Sequence, residues 1–311
     1  MRKKAVIALG GNALIKNGQE GTIYEQFENT RNISKNIVKI IEAGWDVVIT
    51  HGNGPQVGAI LLQNDLAKDV TPPMPLGICV AESEGFIGYM IQQNISNALK
   101  KANINRSVVT LITQVLVDED DPSFKNPTKP IGPYYSDEDV EEIKKEGFQL
   151  KKEVDGWRIV VPSPDPKSIV EGKIIKRMLE EKIIVIASGG GGMPVIEKEG
   201  WGLDGLEAVI DKDLASERLA ESIDAELLLI LTNVEKVYLN YKTENEKQLD
   251  RVCLEDLKKY YEQGHFPQGS MGPKILAAIR FLEAGGKKVI ISDVEKGWQA
   301  FNCETGTIIT N

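Results

Sequence analysis

Ala5-Val6-Ile7-Ala8-Leu9-Gly10-Gly11-Asn12 and, further along, Val47-Val48-Ile49-Thr50-His51-Gly52-Asn53-Gly54-Pro55 are the stretches that decide the fold. Each is a short apolar run that ends in a glycine turn. Between them Ile33, Ile37 and Ile41 fall at i, i+4 and i+8, which is one face of a helix, and Ala43-Gly44 stops it. Runs that are apolar at nearly every position suit strands buried on both faces, as in a parallel sheet between helix layers. Glycine leaves peptide N–H groups open to an anion, and a helix expected after each turn would add its positive N-terminal end. A third turn, Gly189-Gly190-Gly191-Gly192-Met193-Pro194, follows an apolar run at 183–187. One such turn alone reads as a tight reversal. Three of them, at the carboxyl ends of strands where open parallel sheets bind ligands, point to phosphate chemistry.

The alternation continues along the chain. A helix carrying Val57, Ile60 and Leu61 follows the second turn, and Pro72, Pro73 and Pro75 break the chain before a helix predicted over 81–101. Residues 108–117 read as one strand. From 118 to 168 the character changes: Asp118-Glu119-Asp120-Asp121-Pro122 opens a stretch with Pro127, Pro130 and Pro133 and a charged segment at 137–146. It is too polar to continue a central sheet and is expected to protrude as a small subdomain. Helix 169–181, strand 183–187, helix 214–223, strand 227–231, helix 275–283 and strand 289–292 then complete the pattern, the last two as the closing elements. The fold class is α/β, a parallel-dominated central sheet sandwiched between helices. The domain proper takes residues 1–117 and 169–311, and 118–168 is inserted in it.

Composition excludes several functions. The 311 residues carry a formal net charge of −9, which argues against a nucleic-acid or anionic-membrane partner held by bulk electrostatics. An anionic substrate would have to be held by local positive charge. Arg2-Lys3-Lys4 ahead of residues 5–9 imitates a secretion signal, but the apolar run is too short, and no other stretch approaches the ~20 apolar residues of a membrane span. The reading is cytoplasmic. Cys79, Cys253 and Cys303 are far apart and odd in number, so they suggest small buried side chains rather than disulfides or zinc ligands. His51 and His265 make no metal cluster, and His51 is read as ordering its loop rather than acting as a base. Gly-x-x-x-x-Gly-Lys-[Ser/Thr], the protein-kinase signatures and Gly-x-Ser-x-Gly do not occur.

Two lysines sharpen the reading. Lys212 stands between Asp211 and Asp213 at the start of a helix, and Lys274 follows Gly272-Pro273 in the first turn of another, with Pro273 near its first position. Phosphoryl transfer needs fixed cations between two mutually repelling anions, and a carboxylate between the lysines would hold them in place. Taken singly, either lysine reads equally well as a solvated helix cap.

Ala8-Leu9-Gly10-Gly11-Asn12-Ala13, Thr50-His51-Gly52-Asn53-Gly54-Pro55-Gln56-Val57-Gly58, Ala208-Val209-Ile210-Asp211-Lys212-Asp213-Leu214-Ala215 and the block from Gly264 to Lys274 resemble the signature blocks of the carbamate kinases, of the amino-acid-kinase superfamily. The resemblance runs nearly end to end. It implies reversible phosphoryl transfer between ATP and carbamate, giving ADP and carbamoyl phosphate, often run toward ATP in arginine breakdown. Magnesium would arrive on the nucleotide, with no metal site of the protein's own. Gly10, Gly11, Asn12, Gly52, Asn53 and Gly54 would hold the substrate in the N-terminal half. Lys212 and Lys274 would steady the transferring phosphoryl group and Asp213 would orient them. Lys129, in Pro127-Thr128-Lys129-Pro130-Ile131-Gly132, would be carried over the site by the insertion acting as a lid. The nucleotide is expected in the C-terminal half on Gly189, Gly190, Thr232, Tyr238, Met271 and Lys274. The sequence departs from the family at Asn233, where an acid is common, and Tyr238 reads equally well as a core residue. The resemblance also implies a homodimer. The rival readings are another small-acid kinase of the superfamily, such as an acetylglutamate kinase, and a non-catalytic nucleotide- or oxyanion-binding protein.

Overall fold

The first apolar run is strand β1 (Lys4–Leu9), followed by helix α1 (Ile23–Glu42), β2 (Asp46–His51), α2 (Gly54–Ala67) and α3 (Leu76–Lys101), which starts directly after Pro75. The computed structural model describes residues 2–16, 18–153, 156–267 and 269–311, with Asn12 through its backbone alone. The single strand predicted over 108–117 is in fact two, β3 (Val108–Thr110) and β4 (Gln114–Leu116), which lie in different sheets. The break falls at Thr113, whose N–H donates to the Glu84 carboxyl group at 3.2 Å rather than to a neighbouring strand.

Within the insertion, β5 (Lys129–Tyr135), α4 (Val140–Lys145), β6 (Leu150–Glu153) and β7 (Gly156–Val161) form an antiparallel sheet in the order β5-β7-β6 with one helix. Its underside is apolar: Ile131, Ile143, Ile159 and Val161 pack with Val57 of α2 and Leu76 and Val80 of α3. The approach is close enough that a Cβ on Gly58 would lie 2.0 Å from the Gly132 backbone. The polar composition therefore described the solvent side of this sheet only.

The chain continues through β8 (Ser168–Ile169), α5 (Gly172–Glu180), β9 (Ile184–Ile186), β10 (Met193–Lys198), β11 (Gly202–Gly205), α6 (Lys212–Ser222) and β12 (Leu227–Thr232). Next come β13 (Val237–Leu239), β14 (Lys247–Leu249), β15 (Arg251–Cys253), α7 (Leu254–Glu262), α8 (Met271–Glu283) and β16 (Lys288–Asp293). β16 is not the last element, as had been expected. α9 (Gly297–Phe301) and β17 (Thr307–Thr310) follow, and β17 pairs antiparallel with β16.

Among the described residues the main sheet has the order β15-β17-β16-β12-β1-β2-β9-β3, and from β16 to β3 every neighbouring pair is parallel. Successive side chains point to opposite faces. Val6, Ala8, Val48, Val185, Leu228 and Ile230 enter a core with α5, α6 and α8, while Ala5, Ile7, Leu9, Val47, Ile49 and Leu229 enter another with α1, α3 and α9. Burial on both faces is what made these strands read as continuous apolar runs. Among the described residues no helix is long and apolar enough to cross a membrane. Of the cysteines expected to be buried, only Cys79 is; Cys303 is half-buried and Cys253, at the exposed end of edge strand β15, faces solvent.

Candidate active site

The loops after β1, β2 and β12 meet at the carboxyl edge of the sheet because those strands are neighbours. Gly10 donates its N–H to the Leu231 carbonyl at 2.7 Å, and Gly52 donates to the Leu9 carbonyl at 2.9 Å. A Cβ on Gly52 would lie 3.0 Å from the Gly11 nitrogen, so only bare backbone fits where these two loops touch. α2 opens at Gly54 with Asn53 as its N-cap and Pro55 in the first turn. Its first N–H groups, those of Gly54 and Gln56 since Pro55 has none, lack helical partners and with the Gly10-Gly11 turn make a concave backbone surface whose chemistry suits an anion. The structure thus brings the backbones of Gly10, Gly11, Asn12, Gly52, Asn53 and Gly54 together; the Asn12 side chain lies outside the described residues.

The third turn differs from expectation. Gly190 to Gly192 have φ of 66°, 101° and 81°, a conformation that cannot propagate a right-handed helix, and the chain passes into β10 instead. Gly189 and Gly190 also lie away from the expected nucleotide site. β9 is three strands from β12 in the sheet, about 14 Å at ~4.8 Å per strand. The two glycines are buried against His51 and Asn53.

Facing the glycine loops is a cluster of charges. Asp211 caps α6, accepting the Asp213 N–H at 2.9 Å, and so places Lys212 and Asp213 in the first turn. Lys212 donates to one Asp213 carboxylate oxygen, and Lys274 donates to the other at 3.1 Å and to the Ser270 carbonyl at 3.1 Å. α8 begins at Met271, so Pro273 is its third residue and Lys274 its fourth, slightly deeper than the sequence suggested. Lys129, at the start of β5, donates to the other acid, Asp211, at 2.5 Å. Three ammonium groups thus share two carboxylates, leaving an excess of one positive charge. Asp211 was not singled out in the sequence, although its helix-capping position was the available signal.

The electrostatics follow from burial. Burial would raise the Asp213 carboxyl, but the ammoniums of Lys212 and Lys274 overcome it and hold the acid below the ordinary carboxylate range. Lys212 is pushed below the usual lysine value, first by burial and then by Lys274, with Asp213 opposing. Lys274 ends above it, because Asp213 and Asp211 outweigh its burial. Ser216 and Thr50 brace α6 beneath the cluster: Ser216 Oγ donates to the Lys212 carbonyl at 2.5 Å and lies 2.6 Å from Thr50 Oγ1.

The chain returning from the insertion is fastened to the helices that carry the lysines. Arg280 of α8 holds Asp165 through two bonds of 2.7 and 3.0 Å, and Arg218 of α6 donates to the Pro166 carbonyl at 3.1 Å. Beside Lys274 opens a cleft of about 300 Å³, lined by Thr232, Asn233, Lys236, Tyr238, Tyr241 and Met271 among others. That is within the range of small-molecule sites. Thr232, Tyr238, Met271 and Lys274 are the nucleotide residues expected from the sequence, and the Tyr238 and Tyr241 rings stand 5.9 Å apart.

His51 is sealed under the site. Burial pushes its imidazole down to about 4, Nδ1 lies 3.1 Å from the Gly52 carbonyl, and Nε2 has no partner. It is neutral and orders its loop. Because the unfolded histidine titrates near 6.5, the unfolded chain binds the extra proton between pH 6.5 and 4. Stability is expected to fall on acidification through that window, by up to about 3 kcal/mol from this residue. Urea unfolding at pH 7.5 and pH 5 checks this, with His51→Gln expected to lose that part of the slope.

The sequence profile described as the Amino acid kinase family matches residues 3–293. Carbamate kinase of Pyrococcus horikoshii is 54% identical over 100% of both chains. Among solved structures, carbamate kinase from Giardia lamblia bound to citric acid superposes with a TM-score of 0.94 at 42% identity, covering 99% of this chain and 98% of that one. The same enzyme bound to AMP-PNP gives a TM-score of 0.91 at 43% identity, with the same coverage. The glycine loops, the lysine cluster, the sheet order and these likenesses agree: the chain belongs to the amino acid kinase family, in its carbamate kinase branch.

Proposed function

We propose that this protein reversibly transfers the γ-phosphoryl group of ATP to carbamate, giving carbamoyl phosphate and ADP. The observation that carries the reading is the buried cluster with one excess positive charge, set between the glycine cradle and the nucleotide cleft. Carbamate is a carboxylate already ionised at neutral pH, so its oxygen needs no general base. His51, buried and with its imidazole pushed down to about 4, is a weak base and in keeping with that. The two reacting anions repel one another, and the reaction requires position and neutralisation rather than proton transfer. In this reading the cradle holds the acid, the cleft holds the nucleotide, and Lys212 and Lys274 neutralise the oxygens of the group in flight. Asp213 grips both lysines by separate oxygens, fixing their spacing before substrate arrives.

Magnesium fits as a passenger on the nucleotide. Asp211 and Asp213 are engaged by lysines, and among the described residues no three acids, histidines or cysteines converge on one point. A metal held mainly by phosphates and water is the usual arrangement for magnesium at such sites. It would supply further neutralisation of the phosphate oxygens.

Residues 118–168 act as a lid in this reading, with Lys129 at its inner edge. Lys129→Ala is expected to raise the KM for carbamoyl phosphate about tenfold with a smaller fall in kcat, the signature of lost binding and closure. Unchanged steady-state kinetics would make Lys129 an ordinary loop lysine. The function itself is tested by ATP formation from magnesium ADP with carbamoyl phosphate, acetyl phosphate or acetylglutamyl phosphate as donor. Fast turnover with carbamoyl phosphate alone is expected. Turnover with acetylglutamyl phosphate would assign another acid, and ADP binding without turnover would make the protein a binding module. We place the enzyme in the cytoplasm as a homodimer, on the likeness to its family.

A further inference from the structure

We infer that Ser83 and Glu84, neighbours on α3, are positioning residues that fix the acid-binding loop from behind. Neither belongs to the lysine cluster or the glycine cradle, and both are buried, at 0% and 1% exposure. Ser83 Oγ accepts a hydrogen bond from Asn53 Nδ2 at 2.9 Å and donates its own to the Val80 carbonyl at 2.7 Å, so its proton is committed and its lone pairs face Asn53. Glu84 accepts the Gly189 N–H at 2.9 Å with one oxygen and the Thr113 N–H at 3.2 Å with the other. These bonds fasten the third glycine turn to α3.

That turn is the back plate of the substrate loop. A Cβ on Gly189 would lie 2.3 Å from His51 Nε2 and 2.8 Å from Glu84 Cγ, and one on Gly190 would lie 2.1 Å from Asn53 Nδ2. His51 and Asn53 flank Gly52 in sequence, so the loop is clamped on both sides of the glycine that meets Gly11. A few tenths of an ångström of slack here would move the N-terminal end of α2, which carries the cradle's N–H groups. The third glycine turn thus serves the acid rather than the nucleotide, and the bare backbone is required by protein packing.

The cost of the device supports its assignment. Burial pushes the Glu84 carboxyl up to about 8, against the two amide donors, and nearby Glu171 raises it further. His51, on β2, also lies against the turn, and burial pushes its imidazole down to about 4. A buried carboxyl held by N–H groups rather than by a cation is an unfavourable way to fill space, and here its hydrogen bonds fix the substrate side of the site.

The inference rests on the carbamate reading, and the test separates the two. Steady-state kinetics are measured for wild type, Ser83→Ala and Glu84→Gln, varying carbamoyl phosphate and magnesium ADP in turn. Glutamine has one acceptor for two N–H groups, so Glu84→Gln is expected to raise the carbamoyl phosphate KM about tenfold, and Ser83→Ala about fivefold. In both, the ADP KM should move less than about twofold and kcat less than about threefold. A merely structural role would move the two KM values together. Ser83→Ala, a small deletion, carries the test if Glu84→Gln does not fold. An unchanged acid KM in Ser83→Ala, or a rise shared equally by both substrates, overturns the inference. If the wild type itself does not turn over carbamoyl phosphate, the functional reading fails instead. The positioning is then read from hydrogen exchange: amides at 189–192 should exchange at least about tenfold faster in Glu84→Gln, with those of α6 and α8 unchanged, and equal rates would overturn it.

Discussion

Lys212→Ala is expected to lower kcat at least about a hundredfold, the cost of removing one fixed electrostatic donor worth roughly 3 kcal/mol. The lysine stem runs beside the glycine loop, since a Cβ on Gly52 would lie 3.6 Å from Lys212 Cδ. Its ammonium therefore sits between the cradle and Asp213. Removing it takes the cluster from one excess positive charge to none, just where two anions must be brought together. In the free protein Lys212 lies below the ordinary lysine range through burial and the neighbouring Lys274. A bound phosphoryl group would add negative charge beside the ammonium and so favour its charged form. Asp213 keeps Lys274 as a partner in the variant, and cooperative thermal unfolding should survive. Lys274→Ala is expected to lose a similar factor. Near-normal turnover at saturating substrate in either variant would remove that lysine from the mechanism.

Asp213→Asn is expected to damage stability as well as rate. The carboxylate is nearly sealed from solvent and holds two ammoniums. Its loss leaves buried positive charge uncompensated, which typically costs about 3 kcal/mol or more. The sign of the pH dependence follows. Without Asp213 the folded Lys212 falls further below its unfolded value, so the unfolded chain binds more protons and stability rises with pH. The gap in melting temperature between variant and wild type should therefore be widest near neutral pH and shrink as pH rises toward the unfolded lysine value of about 10.4. Inorganic phosphate should recover part of the loss by restoring a negative charge to the folded site. Thermal melts across pH, with and without phosphate, measure both effects. A gap independent of pH and phosphate would mean that Asp213 serves packing rather than charge balance.

The strands β1, β2, β9, β12 and β16 were legible because burial on both faces writes a continuous apolar run, and that is a local property of the sequence. The glycine turns after them were legible for the same reason. So were Lys212 and Lys274, since their place at helix starts is written within a few residues. The split of 108–117 into β3 and β4 was not legible, because the group that breaks it, Glu84, lies on another helix. The apolar underside of the insertion was hidden by the charged residues on its other side.

By itself the sequence determined a parallel α/β sheet with glycine turns at its carboxyl edge and lysines at two helix starts, since periodicity, glycine and capping act over a few residues. Only the tertiary structure decided that Gly189 and Gly190 stand behind the His51-Gly52-Asn53 loop, that Lys129 meets Asp211, and that Ser83 and Glu84 reach Asn53 and Gly189. The hydrogen-bonded pairs among these join residues 30 to 105 positions apart. They depend on which strands become neighbours in the sheet, a choice made by the packing of the whole chain.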